Sequence, residues 1–451
     1  MKTKEKTNYL FDNRMLAKLI FPLIIEQLLA VLVGMADSLM IANVGEAAVS
    51  GVSLVDNIML LFISMFAALA AGGSVVAGQY LGDKKEKEAG HAATQLIWVI
   101  VLLSLIITAI LYFGKNLILD YVFGSIEADV KGHANTYLLI VTASVPFIAV
   151  YNGGAAIFRA MGNSRVPMVV SLIMNAINVI GNATLIYGFH RGAEGVAIPT
   201  LVSRAVAAVL VIVLLLYHNR GPIQLERTRK IRFDKPMVRR ILGIGIPNGM
   251  ENAMFQLGKI LVLSLVATFG TSAIAANAVS NVVAWFEILP GMAINLAITT
   301  VIAQCVGAED YKQARYYTKK LLAIIYLCLI VTNAIIVLLL PEILRAYNLS
   351  AETAESARQI LYFHTVSCIT IWPVAFSLPS TLRAAGDAKV TMWISIVSMW
   401  VCRIGCSFLF GKYFGMGVFG VWVAMVMDWC VRSVLLEIRY LRGKWETMRA
   451  I

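Results

Sequence analysis

The sequence predicts an all-α integral membrane protein with twelve transmembrane helices in two pseudo-twofold-related six-helix lobes. Three observations carry this prediction: an apolar composition, apolar runs at regular intervals, and an internal repeat. Of the 451 residues, 59% are hydrophobic and only 14% are charged, and the mean hydropathy is +0.78. Soluble globular proteins are much less apolar than this. We therefore expect the bilayer, rather than water, to be the main solvent of the chain.

Apolar runs long enough to cross a bilayer recur at intervals of roughly 35 residues. The first run begins near Met15 and contains Glu26 and Asp37, so it lacks the short apolar region and cleavage site of a signal peptide. We expect spans at residues 14–42, 46–79, 90–114, 132–158, 166–189, 194–217, 238–269, 272–306, 314–340, 356–383, 389–411 and 417–440.

Lys and Arg residues are distributed unevenly between the two sides of the predicted spans. With the helix ends included, 28 lie on the side of the termini and the central loop, and six lie on the opposite side. Cytoplasmic loops of membrane proteins carry such an excess. We therefore expect a multi-pass protein of the inner (plasma) membrane with both termini in the cytoplasm. The formal charge of +12 is then explained by membrane topology, and we expect no nucleic acid partner.

The two halves of the chain repeat each other. FRAMGNSRVPM (Phe158–Met168) recurs as LRAAGDAKVTM (Leu382–Met392), 224 residues later. A proline followed four residues later by a glutamate occurs in both halves at an offset of 225, as Pro22 with Glu26 and as Pro247 with Glu251. Such self-similarity indicates a fold built from two copies of one unit.

The repeat predicts an N-terminal lobe at residues 1–217 and a C-terminal lobe at residues 238–451. Residues 218–237 are polar and basic, and we interpret them as a solvated cytoplasmic linker loop. Because each lobe holds six spans, equivalent helices run in the same direction. Some secondary transporters have this parallel-repeat plan and hold substrate near the midplane where the halves meet. We expect a monomer surrounded by membrane lipids.

Ionisable residues inside the predicted spans indicate functional positions, because each costs about 3 kcal/mol to insert. Glu26 and Asp37, eleven residues apart, lie on nearly the same face of helix 1, about 16 Å apart along its axis. The full set comprises six acids and four bases: Glu26, Asp37, Asp56, Glu251, Glu287, Asp428, Arg204, Lys259, Arg403 and Arg432.

Polar residues of helices 5 and 6 complete a candidate ion site. Asn178 and Asn182 are spaced i,i+4 and therefore share one face of helix 5, and Thr200 lies on helix 6. With Asp37 nearby, their oxygens would suit a proton or a small hard cation. Hydrogen bonding between helices is the alternative role for the asparagine pair.

Further candidates line the predicted cleft. Glu26 and Glu251, each four residues after a proline, are expected to frame its inward opening as symmetry mates. Lys259, Arg403 and Asp428 are additional substrate or cleft candidates, with a structural salt bridge between Arg403 and Asp428 as the alternative. Met and aromatic residues of the second half would suit lipophilic cations.

Signatures of catalysis are absent from the sequence. We find no phosphate-binding loop, HExxH or GxSxG motif, and the six cysteines form no CxxC. We therefore expect no enzymatic activity and no cofactor. Without an ATP site, transport by this chain would be coupled to an ion gradient.

Taken together, these features resemble the multidrug and toxic compound extrusion (MATE) family. The resemblance covers nearly the whole chain and rests on Pro22 and on motifs in a fixed order: GMADSLMIANVG (Gly34–Gly45), VAGQYLGDKK (Val76–Lys85), RAMGNSRVPM (Arg159–Met168), NAINVIGN (Asn175–Asn182), GIPNGMEN (Gly245–Asn252) and IAQCVGAEDYKQA (Ile302–Ala314).

The resemblance implies a MATE-like, V-shaped pair of six-helix lobes that exports cationic organic compounds in exchange for sodium or protons. It also implies an ion site whose positions match Asp37, Asn178, Asn182 and Thr200. Many relatives have an aspartate where Asn182 stands, and some sodium-coupled relatives have an acid where Phe255 stands. These departures favour protons as the coupling ion, with sodium at the same four residues as the alternative. A flippase of lipid-linked precursors and a membrane receptor or channel are the alternative functions.

Overall fold

The computed structural model describes residues 9–122, 124, 127–218, 221–226 and 232–451. Of the predicted linker, residues 219–220 and 227–231 therefore lie outside the described part of the chain. All regular structure in the described residues is helical. Ten helices are long and apolar enough to cross a membrane, and two bent pairs bring the number to twelve when each pair forms one span. The predicted fold class is confirmed.

The first six spans are α1 (Asn13–Ala42), α2 (Glu46–Gly82), α3 (Glu86–Phe113), α4 (Ala128–Ala143 with Val145–Ala160), α5 (Arg165–Gly188) and α6 (Glu194–Tyr217). The second six are α7 (Lys235–Ala267), α8 (Thr271–Gly307), α9 (Tyr311–Ala346), α10 (Ala351–Thr370 with Trp372–Ala384), α11 (Ala388–Tyr413) and α12 (Gly417–Leu441).

Two spans predicted as continuous helices are bent. The halves of α4 meet at 45° and those of α10 at 44°. Pro146 and Pro373 lie in the first turn of the second half of each pair. Proline lacks the N–H needed for helical hydrogen bonding and its ring clashes with the preceding turn, so a helix breaks before it.

The repeat extends to backbone geometry at the turns. Gly45 and Gly270, which precede α2 and α8, have φ angles of 138° and 96°. Gly162 and Gly386, which follow α4 and α10, have φ angles of 78° and 102°. Residues with a Cβ atom rarely adopt such values. The turns therefore explain why glycine recurs at these positions in both halves.

The chain forms two compact units. The N-terminal unit is Phe21–Asn252, and the C-terminal unit is Ala253–Ile451 together with the described residues up to Ile20. Both boundaries fall inside helices that contain a proline, Pro22 in α1 and Pro247 in α7. The division of the chain at the linker loop stays a prediction.

Each unit has its own apolar core and an apolar exterior. Core residues of the N-terminal unit include Ile148, Tyr151, Ala155, Val170 and Ala207. Those of the C-terminal unit include Ala276, Val279, Val283, Leu340, Leu344, Ala357 and Leu361. Large apolar side chains also lie on the surface, with Phe113 91% exposed and Leu338 78% exposed. Such surfaces favour burial in lipid.

The described part of the predicted linker packs against α3. His91 contacts two linker carboxylates, with its Nδ1 atom 2.9 Å from Glu226 Oε1 and its Nε2 atom 3.1 Å from Asp234 Oδ2. The backbone N–H of Asp234 donates to Gln95 Oε1 at 3.1 Å. Ile223 is fully buried. At these residues the loop is docked on the N-terminal unit, which corrects the interpretation of a solvated tether.

Candidate functional site

The four residues predicted to form an ion site lie together in the N-terminal unit. Asn182 Nδ2 on α5 donates to Asp37 Oδ1 on α1 at 2.7 Å. One turn earlier on α5, the side chain of Asn178 lies 3.1 Å from Thr200 Oγ1 on α6. Both asparagines and Thr200 are buried. The structure thus brings polar groups of three helices into one hydrogen-bonded cluster.

The Asn178 amide has two orientations with different hydrogen bonds. In the first, its oxygen accepts from Asn182 Nδ2 at 3.3 Å and its nitrogen donates to Thr200 Oγ1. In the second, its nitrogen donates to both carboxylate oxygens of Asp37, at 2.9 and 3.2 Å, and its oxygen accepts from Thr200 Oγ1 at 3.1 Å. The second orientation satisfies an ionised carboxylate. The first suits a protonated Asp37, because a carboxylic acid can donate to an amide oxygen.

One acceptor of the cluster is left over. Asn182 Oδ1 is buried and has no hydrogen-bond partner among the described residues. A buried acceptor without a donor is costly, so this atom suits an added proton donor or cation. The oxygen atoms fit a small hard cation in type. However, amide N–H groups already point at Asp37, which fits a carboxylate that exchanges a proton better than it fits a cation cage.

Close packing of α5 on α6 brings Asn178 to Thr200. Gly181 on α5 faces Pro199 on α6, and a Cβ atom at Gly181 would lie 2.7 Å from Pro199 Cβ. Only a residue without a side chain permits this approach. Asn178 and Thr200 lie beside this contact. The sequence therefore encodes the site through a glycine as well as through its polar residues.

Two further ionisable residues surround Asp37. Asp56 and Arg204 are close enough to interact electrostatically with its carboxylate. Tyr137 OH donates to Asp56 Oδ1 at 2.8 Å, and Arg204 Nη1 donates to Ser144 Oγ at 2.8 Å. The sequence identified Asp56 and Arg204 as costly residues in lipid but did not place them at this site. No sequence pattern indicated Tyr137.

Glu26 forms a buried ion pair in the N-terminal unit. Its side chain is 7% exposed, and Arg159 Nη1 lies 3.2 Å from Glu26 Oε1. Tyr151 OH donates to the same oxygen at 3.3 Å. This pairing gives Glu26 a structural role that the sequence did not predict. Glu251, its symmetry mate on α7, is half-buried. Their role in framing an opening stays a prediction.

In the C-terminal unit, Lys259 and Arg403 face aromatic rings. The Arg403 guanidinium lies 5.2 Å from the ring centre of Phe255, and the Lys259 ammonium lies 5.8 Å from that of Trp285. These distances are typical of cation–π contacts. Both bases lie apart from the acid with which the sequence grouped them.

That acid, Asp428, has other partners. Its Oδ2 atom lies 3.4 Å from Arg432 Nη2, one turn further along α12. Its Oδ1 atom accepts from Ser398 Oγ on α11 at 2.5 Å. The structure therefore replaces the suggested salt bridge to Arg403 with one to Arg432, which the i,i+4 spacing places on the same helix face.

A second buried polar cluster in the C-terminal unit was missed. Glu287 on α8 contacts His364 Nδ1 and accepts from Thr365 Oγ1 at 2.9 Å, both on α10. Glu287 is 0% exposed and His364 is 3% exposed. The sequence identified Glu287 as costly to bury, but no spacing linked it to a histidine in a different helix.

Twelve apolar spans in two repeated halves, with polar clusters buried inside them, define a multi-pass membrane transporter. The MatE family model matches residues 22–184 and again residues 247–409. The two matches begin 225 residues apart, which confirms the internal repeat. The chain belongs to the MATE family of multidrug-resistance transporters and is therefore a transporter rather than an enzyme.

Known relatives match along almost the whole chain. The uncharacterized transporter YisQ of Bacillus subtilis is 26% identical over 449 residues, which are 98% of this chain and 96% of YisQ. NorM of Thermotoga maritima, named a probable multidrug resistance protein, is 26% identical over 444 residues, which are 96% of this chain and 92% of NorM.

Solved structures share the fold. An outward-facing multidrug resistance MATE transporter of the MOP superfamily superimposes with a TM-score of 0.89 at 18% identity, covering 96% of each chain. A MOP superfamily transporter from Pyrococcus furiosus, described as having a binding pocket of reverse polarity, gives a TM-score of 0.87 at 18% identity. That comparison covers 96% of this chain and 95% of the other.

Proposed function

We propose that this chain is an ion-coupled secondary antiporter that exports lipophilic or cationic organic compounds by alternating access. The observation that carries the proposal is the 2.7 Å hydrogen bond from Asn182 to Asp37 inside a membrane-spanning unit. A carboxylate held there by neutral amides can change its charge without breaking an ion pair. Such a group is suited to exchange a coupling ion.

The proton is the coupling ion that this arrangement favours. When Asp37 is ionised, the amide nitrogens of Asn178 and Asn182 donate to it. When Asp37 is protonated, rotation of the Asn178 amide turns an acceptor toward the acid. Each protonation state thus has a matching set of hydrogen bonds. Sodium at Asp37, Asn178, Asn182 and Thr200 is the second possibility, but Asn182 supplies no charge to hold it.

Organic cations are the substrate class proposed for the N-terminal unit. Asp37 and Asp56 give its interior two carboxylates, with Arg204 as the neighbouring base. A cationic substrate and a proton would then compete for the same negative charge. This competition is the basis of exchange, because binding of either one favours release of the other.

We further propose a monomer in the plasma membrane with cytoplasmic termini. Lys235, Arg239 and Arg240 line a cavity with Pro236 at the start of α7, on the side that the basic residues assign to the cytoplasm. Anionic headgroups of the cytoplasmic leaflet attract such clusters. Membrane lipids are therefore proposed partners at this end of the helix.

A flippase of lipid-linked precursors is the second candidate function. Lys259 and Arg403, two bases inside the C-terminal unit, are the observation that favours it, because phosphates of lipid carriers need cationic partners. Transport of organic compounds in the absence of any lipid-linked precursor would favour the exporter.

The test of the proposed function is uptake of a fluorescent organic cation into inside-out vesicles under an imposed proton or sodium gradient. We expect Asp37→Asn to abolish gradient-driven uptake while leaving the protein folded, since the amide is nearly isosteric with the acid. Asp120→Asn is the matched control, because it removes an exposed carboxylate that contacts Lys131. This control should transport like the unmodified protein.

The outcomes separate the carboxylate from the ion. Uptake by Asp37→Asn at the unmodified rate under either gradient would rule out Asp37 as the coupling residue. Uptake that requires sodium in the unmodified protein would overturn only the choice of the proton. Absence of gradient-driven uptake for a panel of organic cations in the unmodified protein would overturn cation export.

A further inference from the structure

Three bases of the C-terminal unit, here called the basic cluster, are Lys259, Arg403 and Arg432. Lys259 lies on α7, four residues after Phe255, so the two side chains share one face of that helix. Arg403 on α11 stacks on Phe255 at 5.2 Å. Lys259 and Arg403 therefore lie on adjoining surfaces, close enough to repel each other electrostatically.

Close packing fixes this arrangement. Gly258 on α7 faces the wide helical turns of Met399–Gly405 on α11, and a Cβ atom at Gly258 would lie 2.3 Å from Met399 Cε. Arg403 lies within those turns. Short π-helical segments inside α-helices are often found at functional sites. The backbones of α7 and α11 thus hold two like charges together where separation would be electrostatically favourable.

The cluster has too few carboxylates to balance it. Asp428 accepts from Ser398 and pairs with Arg432. Among the described residues of this unit, neither Lys259 nor Arg403 has an ion-pair partner, and Arg403 Nε is a buried donor without a hydrogen bond. The nearest other buried acid, Glu287, is bound by His364 and Thr365.

Two uncompensated cations inside a membrane-spanning unit are costly unless a ligand or partner provides negative charge. An arginine presents five donors in a planar fork that matches carboxylate, sulfonate or phosphate oxygens. The rings of Phe255 and Trp285 lie beside the two cations, and Trp285 is 46% exposed. The chemistry of this surface is that of a charged group attached to an aromatic or apolar body.

The equivalent positions of the N-terminal unit carry the opposite character. At the offset of 225 residues between the two family matches, Lys259 corresponds to Gly34, and Arg403 corresponds to Asn178 of the Asp37 cluster. Asp37 itself corresponds to Val262, which is uncharged. The same two helices of the repeat therefore hold an acid in one unit and bases in the other.

We propose that the basic cluster is a binding site for the anionic group of an amphipathic organic compound, with the aromatic body against Phe255 and Trp285. Small aromatic anions and lipid phosphates share this chemistry, and both are expected to bind. As a substrate site, it deepens the proposed function by adding amphipathic anions to the exported compounds. As a binding site, it stands independently of transport.

The test is isothermal titration calorimetry of the purified protein in neutral detergent. The probes are anilinonaphthalene sulfonate and phenylnaphthylamine, which have the same aromatic body with and without the sulfonate. We expect the sulfonate to bind the unmodified protein at least about tenfold more tightly, as a charge-assisted contact of this kind contributes. Inorganic sulfate at the same concentration should not displace it.

Variants assign the binding to the cluster. Lys259→Gln and Arg403→Gln should each weaken sulfonate binding about tenfold and leave phenylnaphthylamine binding unchanged. Lys259→Arg should retain binding, which separates loss of charge from loss of fold. Lys412→Gln is the matched control, because it removes an exposed base near the end of α11. Displacement by dodecyl phosphate that exceeds displacement by the aromatic sulfonate would assign the site to lipid phosphates.

Equal affinity for the two probes, or sulfonate binding that neither glutamine variant changes, would overturn the proposal. Because binding is measured without a gradient, this failure is distinct from failure of the proposed function. A protein that exports organic cations but binds no sulfonate keeps the function and loses the anion site. A protein that binds the sulfonate through Lys259 and Arg403 but shows no gradient-driven transport keeps the site and loses the function.

Discussion

Asn182 on α5 donates a hydrogen bond of 2.7 Å to Asp37 on α1, a residue 145 positions earlier in the chain. The bond joins a carboxylate to a neutral amide, so the cluster gains no second negative charge from α5. A proton needs only one carboxylate, whereas a sodium ion is held better by two. The choice of coupling ion therefore depends on the residue at position 182.

Asn182→Asp should make transport respond to sodium. Two carboxylates at this distance repel each other, and a cation between them relieves the repulsion, so sodium affinity should rise by on the order of tenfold. The measurement is uptake of a fluorescent cation into inside-out vesicles with an imposed sodium gradient and the proton gradient collapsed. Asn182→Ala is the control without added charge and should not gain the response. An unchanged sodium response in Asn182→Asp would contradict this account of ion choice.

Gly181→Ala should impair transport and lower stability. The added Cβ atom would meet Pro199 Cβ at 2.7 Å, which forces α5 away from α6 and separates Asn178 from Thr200. Overpacking of this kind costs about 1–3 kcal/mol in the free energy of unfolding. Gly188→Ala, in the same helix, is the matched control because no heavy atom lies within 4 Å of its added Cβ. Thermal unfolding and vesicle uptake of both variants test the expectation, and equal behaviour of the two would refute it.

Glu26→Gln should destabilise the N-terminal unit. The change leaves Arg159 buried without its counter-charge, which costs about 3–5 kcal/mol when one partner of a buried pair is removed. The double variant Glu26→Gln with Arg159→Gln removes both charges and should recover much of the loss. The midpoint of thermal unfolding measures both changes. A single variant as stable as the unmodified protein would show that the pair contributes nothing.

The sequence also predicts that neutralising Glu26 or Glu251 impairs transport of cationic substrates, because both were expected to frame the cleft. Glu251→Gln, measured by vesicle uptake at normal expression, tests this role without disturbing the Glu26–Arg159 pair. Unchanged uptake of every cationic substrate by Glu251→Gln would remove the framing role of Glu251. Loss of uptake in Glu26→Gln with a normal unfolding midpoint would support the role of Glu26.

A cysteine at Arg229 should be protected from an impermeant thiol reagent applied to intact cells. Arg229 lies outside the described residues, and the expectation comes from the 28 basic residues on the side of the central loop against six on the other. The six native cysteines are first replaced by serine. A cysteine at Lys412, on the opposite side, should react and serves as the control. Labelling at position 229 from outside would reverse the proposed topology.

The sequence by itself determined the spans and the repeat. The first span was predicted at residues 14–42 and is found at Asn13–Ala42. This agreement has a local cause, because insertion into a bilayer depends on the length and polarity of one continuous segment. The bends of α4 and α10 were missed, although Pro146 and Pro373 are visible in the sequence, since a span can remain apolar through a break.

The sequence also determined which residues belong to the Asp37 cluster, because helical periodicity places Asn178 and Asn182 on one face. It did not determine their bonds. The hydrogen bond of Asp37 to Asn182 and the proximity of Arg204 depend on how α1, α5 and α6 are rotated and shifted against one another. The contact of Gly181 with Pro199 sets that packing, and it involves no polar residue that a search for functional groups would select.

Only the tertiary structure decided which charges are paired. Glu26 is matched with Arg159, Glu287 with His364, and Asp428 with Arg432, which leaves Lys259 and Arg403 without an acid within the described residues of their unit. The sequence gives the cost of burying each charge, because that cost depends on the residue and its depth in lipid. Compensation of the cost depends on atoms within about 4 Å in other helices. That distance is set by side-chain packing across the fold and cannot be read along the chain.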